Sequence, residues 1–173
     1  VYKRQKEVSW CMRYVMGKVF YDTSGVMKCI SYDNANVEYY SFLRECRNNG
    51  LHQVIITSEM MIELIKTSYT DYGRKIAKIE FMEEDSDADE QVKCLLKAIE
   101  SNPYQLTKLL DYLMLIAEKS SVEIKRIYIK GPYVEGKADN FFVQSNGIIG
   151  INRESYDLIS KEICTFTERC LFE

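Results

Sequence analysis

Residues 140–152 read NFFVQSNGIIGIN, and this stretch decides the fold class. Two β-favouring runs, 140–145 and 148–151, flank Asn146-Gly147. That pair suits a two-residue hairpin turn, where both central residues need positive φ. The segment therefore predicts a β-hairpin. The period then changes. Asn152 is a helix-capping residue type, and Tyr156, Ile159, Ile163, Phe166 and Cys170 recur at steps of 3, 4, 3 and 4. Such steps mark one face of an α-helix. A hairpin running into an amphipathic helix is the pattern of an α+β fold.

Working back from that stretch, residues 122–130 predict a long strand turned by Gly131-Pro132. An αα-hairpin precedes it. Val92, Leu95, Leu96 and Ile99 form one helix face, and Asn102-Pro103 stops that helix and starts the next. The second helix carries Leu106, Leu109, Leu110, Leu113, Met114, Leu115 and Ile116. It is apolar over most of its circumference, which predicts a central helix lying on the sheet. Residues 83–90, EEDSDADE, lack any core former and read as an acidic linker inside the domain. Further back, a short buried strand (53–57), a helix and a strand (75–82) suggest a βαβ-like unit. That helix is capped by Thr57 or Ser58 and stopped by Gly73. Before it, a helix capped by Asn36 presents Tyr39, Phe42, Leu43 and Cys46 and ends at Asn49-Gly50. The first clear element is a hairpin of runs 18–22 and 26–32, joined through Asp22-Thr23-Ser24-Gly25. Residues 1–16 fit an arm, a strand or a short helix equally well. The expectation is one α+β domain over 1–173, with a mixed sheet of about six or seven strands and about five helices. The chain opens at Val1, which fits a piece of a longer protein.

A hydrophobic fraction of 46% supports a genuine core, and a net charge of −3 gives no global attraction for nucleic acid or anionic lipid. No apolar run approaches the ~20 residues needed to cross a bilayer, so no membrane partner is expected. The six cysteines contain no CxxC pair. Reduced, structural thiols in a cytoplasmic protein are the simplest account. His52 is the only histidine. With one copy there is no HExxH and no two-histidine zinc site, so no metal and no cofactor is expected.

Four local patterns bear on chemistry. Glu123-x-Lys125 is half of the magnesium-dependent nuclease constellation, in which acids hold the metal and a lysine steadies hydroxide or phosphate. The other half would be an aspartate at the start of the preceding hairpin strand, whereas Asp111 lies in the middle of the preceding helix. Lys119, Lys125, Arg126 and Lys130, with Tyr128 and Tyr133, form a basic–aromatic set of the kind that serves single-stranded nucleic acid. The same set describes an exposed strand whose lysines protect an edge. Asp22-Thr23-Ser24-Gly25, followed by Lys28, resembles the first phosphate-binding loop of actin-like and sugar-kinase ATPases, but lacks their second glycine. Against the Asp-Thr-Gly of aspartic proteases it carries an extra serine, and as it stands it is a good turn. Asp85-x-Asp87-x-Asp89 opens like a calcium-binding loop, but Glu90 stands where glycine is needed.

These readings lean away from an enzyme. The leading expectation is a non-catalytic intracellular binding or assembly module, partnered by another protein or by its own copies. Its motive is the thirteen tyrosines, a residue favoured at interfaces. The alternative is a nuclease or nucleic-acid-binding domain using the Glu123/Lys125 strand. A third is a nucleotide-binding domain using residues 22–25.

Overall fold

The computed structural model describes residues 14–173. Lys3, Arg4, Lys6, Trp10 and Cys11 lie outside the described residues, and with them most of the 1–16 segment. The chain is α+β, with five helices and a seven-stranded antiparallel sheet among the described residues. Its backbone gathers into two compact units. One comprises residues up to 54 together with 139–141 and 146–173, and the other comprises 55–138 and 142–145.

In the first unit, β1 (Tyr14–Tyr21) is the central strand. It pairs antiparallel with β2 (Met27–Ser31), with the two-residue β3 (His52–Gln53), and with β7 (Ile148–Asn152). The β1–β2 turn is built by Asp22, whose carboxylate accepts from the amides of Ser24 (2.8 Å) and Val26 (3.0 Å). Gly25 supplies the positive φ of 80° that the turn requires. Helix α1 (Tyr39–Asn48) is capped by Glu38 rather than Asn36. The Asn36 amide is instead engaged by Asp33 at 2.8 Å, inside the preceding turn. α1 sends Phe42 and Cys46 into a cluster with Phe20 and Tyr32. Helix α5 (Tyr156–Phe172) packs on β2 and β7 through Ile159, Ile163 and Phe166, the face the spacing foretells. Cys170, assigned to that face, is exposed; the helix buries Ser160 and Thr167 as well.

In the second unit, α2 (Ser58–Tyr72) is capped by Thr57 and ends at Gly73, with φ 63°. β4 (Lys75–Phe81) and β5 (Ile124–Lys130) pair antiparallel, with irregularities beside Ala77 and Lys125. The expected buried strand over 53–57 is not formed: β3 covers only His52 and Gln53, both exposed, and 54–57 lead into α2 without strand structure, although Val54 and Ile56 are buried. The right-handed parallel crossover is not formed either, because β3 pairs with β1 and β4 pairs with β5. Part of the expected acidic linker is helical. Helix α3 (Ser86–Ser101) starts within it, Asp85 caps the amide of Ala88, and Asp87 and Asp89 occupy the first turn. Carboxylates are stabilised there by the positive end of the helix dipole, so a run that reads as a linker is a helix start. Helix α4 (Leu106–Lys119) buries Leu106, Leu109, Leu113 and Ile116 but exposes Leu115. It packs mainly on α2 and α3, while α2 and α3 lie against β4 and β5. The expected direct seat of α4 on the sheet is thus taken by those two helices. Strand β6 (Asn140–Gln144) is shared, its first two residues belonging to the first unit and the rest to the second.

Candidate functional site

Glu123 precedes β5, and its carbonyl accepts from the amide of Met82 at 2.9 Å. The Lys125 carbonyl, at the strand irregularity, accepts from the amide of Ser145 at 2.9 Å. The Ser145 carbonyl in turn accepts from Ile56 at 2.8 Å, and the Ser145 hydroxyl lies 4.0 Å from the Met82 sulfur. Four separate segments of the second unit are thereby tied together around Ser145. Two large apolar side chains on these segments are exposed to water, Met82 (46%) and, next to Ile56 in the chain, Ile55 (72%). Asp111 is exposed on α4. Among the described residues, no group of three or more His, Cys, Asp and Glu side chains could hold a metal ion.

A second surface lies on β4 and β5. The ladder sets Lys75 opposite Lys130, Lys78 opposite Tyr128, and Glu80 opposite Arg126. Ile79, Phe81, Ile124, Ile127 and Ile129 occupy the buried face, under α2 and α3. Strand alternation therefore puts the polar set on the other face. Arg126 is fixed by neutral partners. It donates to the Tyr128 hydroxyl at 2.7 Å and to the Gln144 side-chain oxygen, and its guanidinium stacks 4.8 Å from the Phe142 ring centre. One carboxylate, Glu80, is shared by Lys78 at 3.1 Å and Arg126 at 4.0 Å, and accepts from the Tyr128 hydroxyl at 3.3 Å. Of the sequence-derived basic–aromatic set, Arg126, Tyr128 and Lys130 come together here, and Lys75 and Lys78 join them. Lys119 lies in the last turn of α4. Tyr133 lies 78% exposed before a tight turn closed by the Val134–Lys137 bridge.

The Asp22–Gly25 loop is occupied with itself. Besides the Ser24 and Val26 amides, Asp22 takes Gly25 on its carbonyl at 3.0 Å, and its carboxylate meets Lys28 at 3.4 Å. The amide of Val26, first, and then those of Ser24 and the Lys28 ammonium hold the Asp22 carboxyl below its usual range.

Sequence reasoning missed Lys18. It sits on the central strand β1 and is fully buried. Its ammonium donates to the Asn146 carbonyl and lies 5.7 Å from the Phe20 ring centre and 5.9 Å from that of Tyr39. Burial pulls its pKa down to about 8. The one visible signal was a lysine inside an otherwise apolar strand, YVMGKVFY. On the other side of the same strand, an added Cβ at Gly17 would come within 2.6 Å of the Tyr156 hydroxyl and 2.8 Å of the Cys29 sulfur. Those two groups meet at 3.4 Å. Burial raises the Cys29 thiol and the Tyr156 phenol, and pushes Cys164 up to about 12. High thiol pKa values mean little thiolate and low nucleophilicity. The five cysteines among the described residues are free thiols.

Among the described residues, no helix is long and apolar enough to cross a membrane. No family model matches the chain, and no curated protein or solved structure matches it either.

Proposed function

We propose that the chain is a non-catalytic binding module that works through protein–protein contact, with the surface around Ile55 and Met82 as its docking face. The observation that carries this reading is the exposure of those two side chains on backbone anchored by hydrogen bonds. Interfaces characteristically combine an apolar centre with a charged rim, and Glu123 and Lys125 supply such a rim. A reducing compartment such as the cytoplasm suits the free thiols.

The test places a photo-crosslinking residue at position 55 or, as a control, at the exposed Lys161. Light scattering of the wild-type chain comes first. Under this reading, position 55 captures one defined protein, or a second copy if the chain self-associates, and Lys161 does not. Met82→Glu should abolish the capture with the melting temperature unchanged. Equal capture at both positions would overturn the reading. So would magnesium-dependent cleavage of DNA or RNA that both Glu123→Gln and Lys125→Ala abolish.

A further inference from the structure

We propose that the open face of β4 and β5 binds single-stranded nucleic acid, with Tyr128 as the base-stacking residue and Lys75, Lys78, Arg126 and Lys130 as the phosphate-facing cations. This goes beyond the protein-docking reading and uses none of the residues on which that reading rests.

Three observations carry it. The first is charge. Four cations and one carboxylate, Glu80, occupy three successive cross-strand pairs on one face. Lys75 and Lys130 stand directly opposite each other. The second is preorganisation. Arg126 is held by a phenol, an amide oxygen and an aromatic ring. These partners fix its geometry without neutralising it, and its one carboxylate contact is long and shared with Lys78. The third is the aromatic centre. Tyr128 is only half-buried, and Lys78 and Arg126 flank its ring with cations at 5.8 and 5.7 Å from the ring centre. A partly open ring among fixed cations on a sheet surface is what stacking on a base and tracking a phosphate backbone require. The net charge of −3 does not decide this, because three cross-strand pairs of this face carry four cations against one carboxylate. Association would depend on the local patch.

A base stacked on an aromatic side chain is sequence-tolerant, so the expected ligand is a single strand of low sequence preference. The probe is a fluorescent unstructured oligonucleotide, as DNA and as RNA, titrated with the full chain and read by anisotropy. Tyr128→Ala should weaken binding about tenfold. A Lys75→Gln, Lys130→Gln double variant should weaken it and flatten the dependence of log K on log salt by about 1.4, roughly 0.7 per lost phosphate contact. Both lysines are exposed, so the double variant carries the test should Tyr128→Ala misfold. Absence of binding at low salt would overturn the proposal. So would duplex binding as tight as single-strand binding, equal competition by polyglutamate, or a salt slope unchanged in the double variant. Met82→Glu should leave oligonucleotide binding as it is, so loss of the protein partner and loss of this activity are read separately.

Discussion

Replacing Lys18 with methionine should stabilise the protein at neutral pH and erase a specific pH dependence. Lys18 is fully buried, with a backbone carbonyl and two aromatic rings around its ammonium, and burial lowers its pKa from 10.5 to about 8. That drop corresponds to about 3–4 kcal/mol at about 1.4 kcal/mol per tenfold change in proton affinity. The sign follows from proton binding. Between about pH 8 and 10.5 the unfolded chain holds the proton and the folded chain does not, so stability rises with pH across that window. Below about pH 8 the whole penalty is present. Methionine keeps most of the stem and needs no hydration, but forfeits the hydrogen bond to the Asn146 carbonyl, worth about 1 kcal/mol for a neutral donor. The expected gain at neutral pH is therefore about 2–3 kcal/mol; it should shrink as pH rises, cross zero before about pH 10.5 and become a loss of about 1 kcal/mol above it.

The assay is urea unfolding followed by circular dichroism, on wild type and Lys18→Met across that range. The difference between the two proteins is the informative quantity. Burial raises the Cys46 thiol and the Tyr39 phenol beside Lys18, and Cys29, Cys164 and Tyr156 elsewhere in the unit. Stability from groups held above their ordinary values is present at low pH and lost as pH rises through the folded pKa, so these groups oppose Lys18 in the wild-type curve. A difference that stays flat from neutral pH to 10.5, or a methionine variant less stable at neutral pH, would refute the burial argument.

Three further substitutions probe the packing. Gly147→Ala should cost about 1–3 kcal/mol, because the glycine has φ +83° and an added Cβ would lie 2.9 Å from the Val54 carbonyl; an unchanged melting temperature would contradict this. Leu113→Ala should cost about 2–5 kcal/mol while Leu115→Ala costs under about 0.5 kcal/mol, since Leu113 is buried and Leu115 exposed; comparable losses in chemical denaturation would mean α4 is rotated from the orientation described. Asp85→Ala should cost about 1 kcal/mol through loss of the α3 cap, with Asp85→Asn retaining most of it; equal stability of all three proteins would show the cap contributes nothing.

What was legible in the sequence was whatever depends on neighbours along the chain. The Asp22–Gly25 turn, the Thr57 cap, the Gly73 stop and the Ile159–Ile163–Phe166 face are each set by residues a few positions apart. They read correctly because the physics is local. Pairing is not local. Residues 53–57 and 75–82 look like successive strands of one crossover. The ladders they join are decided by β1 and β5, whose partners lie tens of residues away. The same limit governs the candidate surfaces. The basic–aromatic set read from the sequence mixed Lys125 with Arg126, Tyr128 and Lys130, and only the burial of Ile127 and Ile129 shows which of them share a face. Lys75 and Lys78 were invisible as members, because only the β4–β5 register delivers them there. Around Ser145, the segments carrying Ile56, Met82 and Lys125 lie far apart along the chain and are tied by backbone hydrogen bonds that no spacing rule encodes. Lys18 is the sharpest instance. Period-two alternation treats a lysine on a strand as a solvent-facing residue, and that holds while one sheet face is open. β1 lies between β2 and β7 and buries the consecutive residues Gly17, Lys18, Val19 and Phe20, so alternation ceases to report exposure. The lysine that pattern reading discards as surface is thereby the most costly charge among the described residues of the first unit.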